Sequence, residues 1–331
     1  MKKKLLVAIC LVTMTAMLGA CGKDKVDPST SADTANPTAT EEPVEQSPVV
    51  EEPITDGDFI YKNSNKTEII GLSDNGKVTM DLIFPENVTK ISNVYVPAES
   101  LLHTVYFMNP DVVLENVSFA NSRVEEIQNF PTTFTEIPDN MFNGCTRLTT
   151  LGSTKGVITI PDGVTSIGSG AFSGCSSITS VDFNNVTEVK DYAFQGCTSL
   201  KNLTWTKVEN IGDAAFFAAG VTEVTLPDTC KTLGAIVFFR CTNLTSLNIN
   251  NVESVNQELC RECTSLTDFY ANVDFEATVT ESSDNTSGDA IDAYSTLFAN
   301  CDKVTLHIST KSALAEYLNN HPNSNFTVVE D

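Results

Sequence analysis

The sequence predicts a mostly β solenoid of the repeat α/β class, made of stacked coils of about 22 residues and closed by a strand-helix-strand cap. The first observation behind this is a recurring segment. Ala171-Phe172-Ser173-Gly174-Cys175 returns as Ala193-Phe194-Gln195-Gly196-Cys197, and again at Ala215, Val237 and Leu259, always 22 residues on. Met141-Phe142-Asn143-Gly144-Cys145 precedes it by 30 residues and Leu297-Phe298-Ala299-Asn300-Cys301 follows after 38. The second is alternation within each unit. Ser180-Val181-Asp182-Phe183-Asn184 reads as a strand, with inward partners Leu203/Trp205, Val224/Leu226, Leu247/Ile249 and Phe269/Ala271. The third is that one such unit cannot bury its own apolar face, whereas units stacked about 4.8 Å apart can.

Taken in order, residues 1–21 begin with Lys2, Lys3 and Lys4, continue through an apolar run from Leu5 to Leu18 and end in small residues. This is the layout of a secretory signal. Leu18-Gly19-Ala20-Cys21 resembles a bacterial lipobox. That resemblance implies cleavage after residue 20 and a lipid on Cys21, hence a membrane anchor. Residues 21–58 then read as the anchor and a disordered tether, because residues 22–58 hold 5 prolines and 10 acids against 2 Lys. Residues 59–130 read as divergent repeats and an amino-terminal cap. Phe84-Pro85-Glu86-Asn87-Val88-Thr89-Lys90-Ile91 echoes the start of a repeat, and Val113–Ile127 reads as a degenerate coil.

Residues 131–308 carry the regular repeats, with an acidic insertion at 272–296. A second apolar pair follows each strand: Val164/Ile167, Val186/Val189, Val208/Ile211, Cys230/Leu233 and Val252/Val255. Gly168, Gly212 and Gly234 come next and read as left-handed turn residues. Residues 309–331 form the closing cap. Val304–Ile308 is the last coil strand, Ser309 or Thr310 caps a helix running to Asn320, Pro322 stops it, and Phe326–Val329 is a final strand.

Ile160-Pro161-Asp162-Gly163-Val164-Thr165-Ser166-Ile167-Gly168 followed by Ala171-Phe172-Ser173-Gly174-Cys175 resembles the repeat of BspA-like leucine-rich repeat proteins of bacterial and protist surfaces. The resemblance covers 131–308 closely and 78–130 loosely. It implies a leucine-rich repeat solenoid on the cell surface, in a family whose members are commonly proposed as adhesins.

The chain has 20 Lys+Arg against 43 Asp+Glu, a net charge of −23, which argues against nucleic acid as a partner. Cys145, Cys175, Cys197, Cys241, Cys263 and Cys301 share one repeat slot, and Cys230 and Cys260 fill slots held elsewhere by Val and Phe. Such positions favour buried free thiols, limited by volume rather than by chemistry, over disulfides. Cys260-Arg261-Glu262-Cys263 stands alone, without the second pair that a zinc or redox site needs. His103, His307 and His321 lie far apart, and no catalytic motif is present, so the expectation is a protein that is not an enzyme and needs no cofactor or metal.

The outward strand positions offer the candidate binding surface: Asp182, Asn202, Thr204, Glu223, Asn248, Asp268 and Tyr270. Trp205 falls in an inward slot and reads as core. The expected function is binding or adhesion to an extracellular or host protein by a lipid-anchored surface protein, with glycan as a weaker candidate partner. The alternative is a structural envelope spacer without a specific ligand.

Overall fold

The computed structural model describes residues 52–271, 274–278, 293–322 and 325–330. The signal segment, Cys21, the tether up to residue 51 and most of the 272–296 insertion lie outside the described residues. The described chain winds into a mostly β solenoid of about 11 coils. Most coils contribute one short strand to each of two walls, and each wall is divided into two sheets.

On the first wall, sheet I starts with the antiparallel strands Ile54–Asp56, Phe59–Tyr61 and Glu68–Leu72 and continues in parallel through Lys90–Ser92 and Val113–Glu115. Sheet III follows it with seven parallel strands, from Glu136–Ile137 to Glu276–Thr278. On the second wall, sheet II has seven parallel strands from Asp81–Phe84 to Asn202–Thr204. Sheet IV has five, from Glu223–Thr225 to Phe326–Val329.

Ile54–Asp56 lies inside the stretch whose composition reads as tether. Gly57, at φ +56°, turns the chain so that Ile54 pairs with Tyr61, and Lys66 binds the Asp56 carboxylate at 2.5 Å. Asp56, one of the acidic residues that suggest a solvated linker, is here on the polar edge of a hairpin. The 8-residue insertion before the second regular repeat also has a structural outcome. It adds a strand, Ile158–Thr159, which pairs with Thr150–Leu151 of its own coil.

At the carboxyl end, α1 (Ala293–Leu297) precedes the strand Val304–His307, and α2 (Ala313–Asn320) precedes Phe326–Val329. The cap of α2 is Ser312, whose Oγ accepts the Ala315 amide at 3.2 Å, rather than Ser309 or Thr310. Ser309 and Thr310 instead shape the preceding turn, where the Ser309 hydroxyl accepts the Lys311 amide at 3.2 Å.

The coils are tied together by ladders on every side. In the walls a later coil donates to an earlier one, as in Thr187 N–H to the Thr165 carbonyl and Glu209 N–H to Thr187, both 2.8 Å. At the turn segments the direction reverses, with Phe172 N–H donating to Ala193 and Phe194 N–H to Ala215 at 2.8 Å. Inside, Phe142, Phe172, Phe194, Phe216 and Phe238 form one column with ring centroids 5.2 to 5.7 Å apart. Each ring is fully buried, which contributes roughly 1.5–3 kcal/mol per side chain.

Two readings of the repeat slots change in the structure. Gly168, Gly212 and Gly234 are not left-handed; what they provide is room. The Asp of the preceding coil lies directly over each one, and a Cβ on Gly234 would sit 2.5 Å from Asp213 Oδ1. These carboxylates accept the next amide: Asp139 from Ser169 at 2.6 Å, Asp191 from Asp213 at 2.8 Å and Asp213 from Ala235 at 2.7 Å. Where the overlying residue is Ser169 or Ala235, the position below carries a side chain, Lys190 or Asn256.

The Cys slot is likewise more than a matter of volume. Six thiols donate to the carbonyl of the aromatic slot one coil earlier, among them Cys175 to Phe142 at 3.0 Å and Cys241 to Phe216 at 3.1 Å. All eight cysteines of the described residues are free and buried. Burial pushes the Cys145 thiol up to about 11 and those of Cys197, Cys230 and Cys301 up to about 12.

Two expected outcomes follow from the stacking. Gly212→Ala should cost about 1–3 kcal/mol in urea unfolding, since the new Cβ would press on the Asp191 carboxylate and lie 2.7 Å from its amide nitrogen. Combined with Asp191→Ala it should cost less than the sum of the two single changes, and strict additivity would refute the pairing. For the thiols, iodoacetamide at about pH 8 should leave all eight unmodified in the native protein and label all of them after unfolding. Because folding raises their pKa, stability should be intact below the ordinary thiol range and fall as pH climbs from about 9 toward about 12.

Candidate functional site

The seven outward residues singled out from sequence all lie on the second wall. Strand register places Asp182 beside Thr204, Asn248 beside Tyr270, and Tyr270 beside His307. They do not share one sheet. Asp182, Asn202 and Thr204 belong to sheet II, and Glu223, Asn248, Asp268 and Tyr270 to sheet IV, with no strand pairing between the two sheets.

The break falls where the repeat loses a residue. Leu203 and Val224 are 21 residues apart, one fewer than the usual step. Trp205 spans this break. Its ring packs on Phe183 and Phe216, with centroids 5.3 and 5.8 Å away, and its Nε1 donates to the Thr225 carbonyl at 2.8 Å. The residue that reads as core is therefore half-buried and joins the two sheets.

The seven residues also differ in what occupies them. Asp182 Oδ1 accepts the Asn184 amide at 3.2 Å, and Asn248 Oδ1 accepts the Asn250 amide at 2.8 Å. Asn184 and Asn250 are both left-handed at φ 45°, so these two side chains hold turns. Asn202, Thr204 and Glu223 are exposed.

Asp268 and Tyr270 sit in the most structured cluster. The Tyr270 ring lies nearly parallel to the His307 imidazole, centroids 4.1 Å apart at 13°. His307 Nε2 is 3.3 Å from Asp268 Oδ1, and Thr267 Oγ1 donates to Asp268 Oδ2 at 2.7 Å. An aromatic pair with a carboxylate beside it suits a partner that offers both apolar surface and hydrogen-bond donors. Sequence reading passes over His307 as isolated. The insertion at 272–296 sets it 37 positions after Tyr270, which hides their shared position in adjacent coils.

Two concavities among the described residues lie on the first wall. One, of about 550 Å³, runs along sheet III past Glu188, Lys190, Asn210, Thr232 and Ser254. The other, of about 540 Å³, opens between sheets I and III beside Tyr95, Leu114 and Phe134. Among the described residues, no group of three or more His, Cys, Asp or Glu could hold a metal ion, and no helix is long and apolar enough to cross a membrane.

The model of the BspA type leucine rich repeat region matches this chain in 6 copies, over residues 73–184 and 150–267. No curated protein matches it. Among solved structures, a leucine rich repeat protein of T. pallidum is similar at 19% identity and a TM-score of 0.38, over 64% of this chain and 78% of that one. A leucine rich cell surface protein from Faecalibacterium prausnitzii is similar at 16% identity and 0.42, over 79% and 77%. The pneumococcal vaccine antigen PcpA is similar at 15% identity and 0.32, over 84% and 86%. With more than half of its length matched by the repeat, this chain belongs to the BspA-type leucine-rich repeat family.

Proposed function

We propose that the chain is an exported, lipid-anchored surface protein whose solenoid binds an extracellular protein partner through the outward face of sheet IV. The observation that carries the reading is the Asp268–Tyr270–His307 cluster, an aromatic stack set among rows of small polar side chains. The rigid coil fixes those side chains in place, which reduces the entropy lost on binding. The basic and apolar start of the chain, its Cys21 and the acidic Pro-rich run after it support export, anchoring and projection from the membrane. No catalytic step and no cofactor enters this reading.

The spacer alternative draws support from Asp182 and Asn248, which serve turns rather than a ligand. The two readings part in a binding experiment. The full chain is offered to immobilised extracellular-matrix proteins, host-cell surfaces and envelope extract of the producing cell. Saturable binding to a matrix or host protein, weakened about ten-fold or more by Tyr270→Ala and by His307→Ala, is the expected result. Binding indifferent to both changes would remove the sheet IV face from the reading, and no saturable binding would favour the spacer. Separately, Cys21→Ser should shift the protein from the membrane to the soluble fraction.

A further inference from the structure

Each wall of the solenoid is broken once, and the two breaks differ. Between sheets II and IV, Trp205 fills the gap and satisfies the Thr225 carbonyl. Between sheets I and III, the strands Val113–Glu115 and Glu136–Ile137 are not paired, and the groove of about 540 Å³ lies between them. Its lining is mixed: Tyr95, Leu114, Phe134 and Met141 supply apolar surface, and Asn116 and Ser118 supply polar groups. Phe134 rests on the buried Phe130 ring, 5.2 Å between centroids, while Tyr95 is 61% exposed, a high value for an aromatic side chain that touches a groove.

The strand edge in this groove has backbone to spare. Val113 N–H donates to Thr89 and Asn93 N–H donates to the Glu115 carbonyl, so residues 113 and 115 carry the ladder to the preceding coil. Alternation then turns the amide and carbonyl of Leu114 the other way, toward the groove. The rim is acidic. Glu136 and Asp139 line the groove and Glu115 flanks it, with Lys90 bound to Glu115 at 2.9 Å and Lys190 to Glu136 at 2.8 Å, in a chain of net charge −23. That field attracts a basic segment and repels an acidic one, a second copy of this chain included.

We infer that this groove is a docking site for an extended segment of a protein partner that alternates apolar with basic side chains. The segment adds as a strand at Leu114, its apolar side chains enter between Tyr95 and Phe134, and its basic ones meet the acidic rim. This surface is on the opposite wall from Tyr270, so the two proposals stand or fall separately.

The test uses the full chain and a fluorescein-labelled peptide of seven residues that alternates Lys with Val and Ile, followed by anisotropy. The expected result is saturable binding that Tyr95→Ala weakens about ten-fold and Tyr270→Ala leaves unchanged. The same peptide with every backbone nitrogen methylated keeps its charge and side chains but offers no N–H on either edge, and it should not bind. Hydrogen exchange at the Leu114 amide should slow when the unmodified peptide is bound. Equal binding of the methylated peptide would reduce the effect to charge and overturn the proposal. So would unchanged affinity in Tyr95→Ala, unchanged exchange at Leu114, or no saturable binding.

Discussion

Stacking register is the constraint on which the rest of this molecule depends. A coil that returns every 22 residues sets each residue over its counterpart, one strand spacing away, so a position is defined mainly by what lies above and below it. The wall ladders and the reversed ladders of the turn segments hold that spacing from both sides. Within it the Phe rings stack into one column and the thiols reach a carbonyl of the preceding coil. The Gly residues show the same rule most sharply. Their role is set by the neighbouring coil's Asp and not by their own backbone angle, and where that Asp is missing a Lys or an Asn takes the place of Gly.

Register also explains where the molecule is irregular. One residue fewer before Val221 divides the second wall, and Trp205 repairs it. On the first wall the crossing from Ile127 to Ile137 is longer than that from Val105 to Leu114. The extra length places Phe134 beside the gap between the sheets. Both irregularities leave features that a perfect repeat would lack. A solenoid of identical coils offers only rows, and a distinctive surface arises where the rows are interrupted.

This accounts for what could be read in advance. The period, the inward pairs and the closing strand-helix-strand were legible because each rests on local pattern repeated many times. The hairpin at Ile54–Asp56 was not, since its acidic, Pro-flanked composition is that of a linker and only pairing with Phe59–Tyr61 makes it a strand. The cap of α2 fell on Ser312 rather than on an earlier hydroxyl, a choice that backbone geometry makes and composition does not. The role of Gly168, Gly212 and Gly234 was written in the sequence, as the pairing of Gly with Asp one coil back. It becomes visible only when coils are compared in pairs.

The candidate surface was half legible for the same reason. Outward positions follow from alternation, so the rows were found; which side chains are free to bind does not follow. Asp182 and Asn248 hold the repeat position that Tyr270 holds in its own strand, yet they support left-handed turns at Asn184 and Asn250. Asp268 stands two residues earlier in its strand, beside Ser246, and its carboxylate meets Thr267 and His307 instead. Across the insertion, His307 of the following coil stacks on Tyr270. A repeat protein gains a specific site in this way, by changing one coil while the neighbouring coils keep the register that holds the changed residues in place.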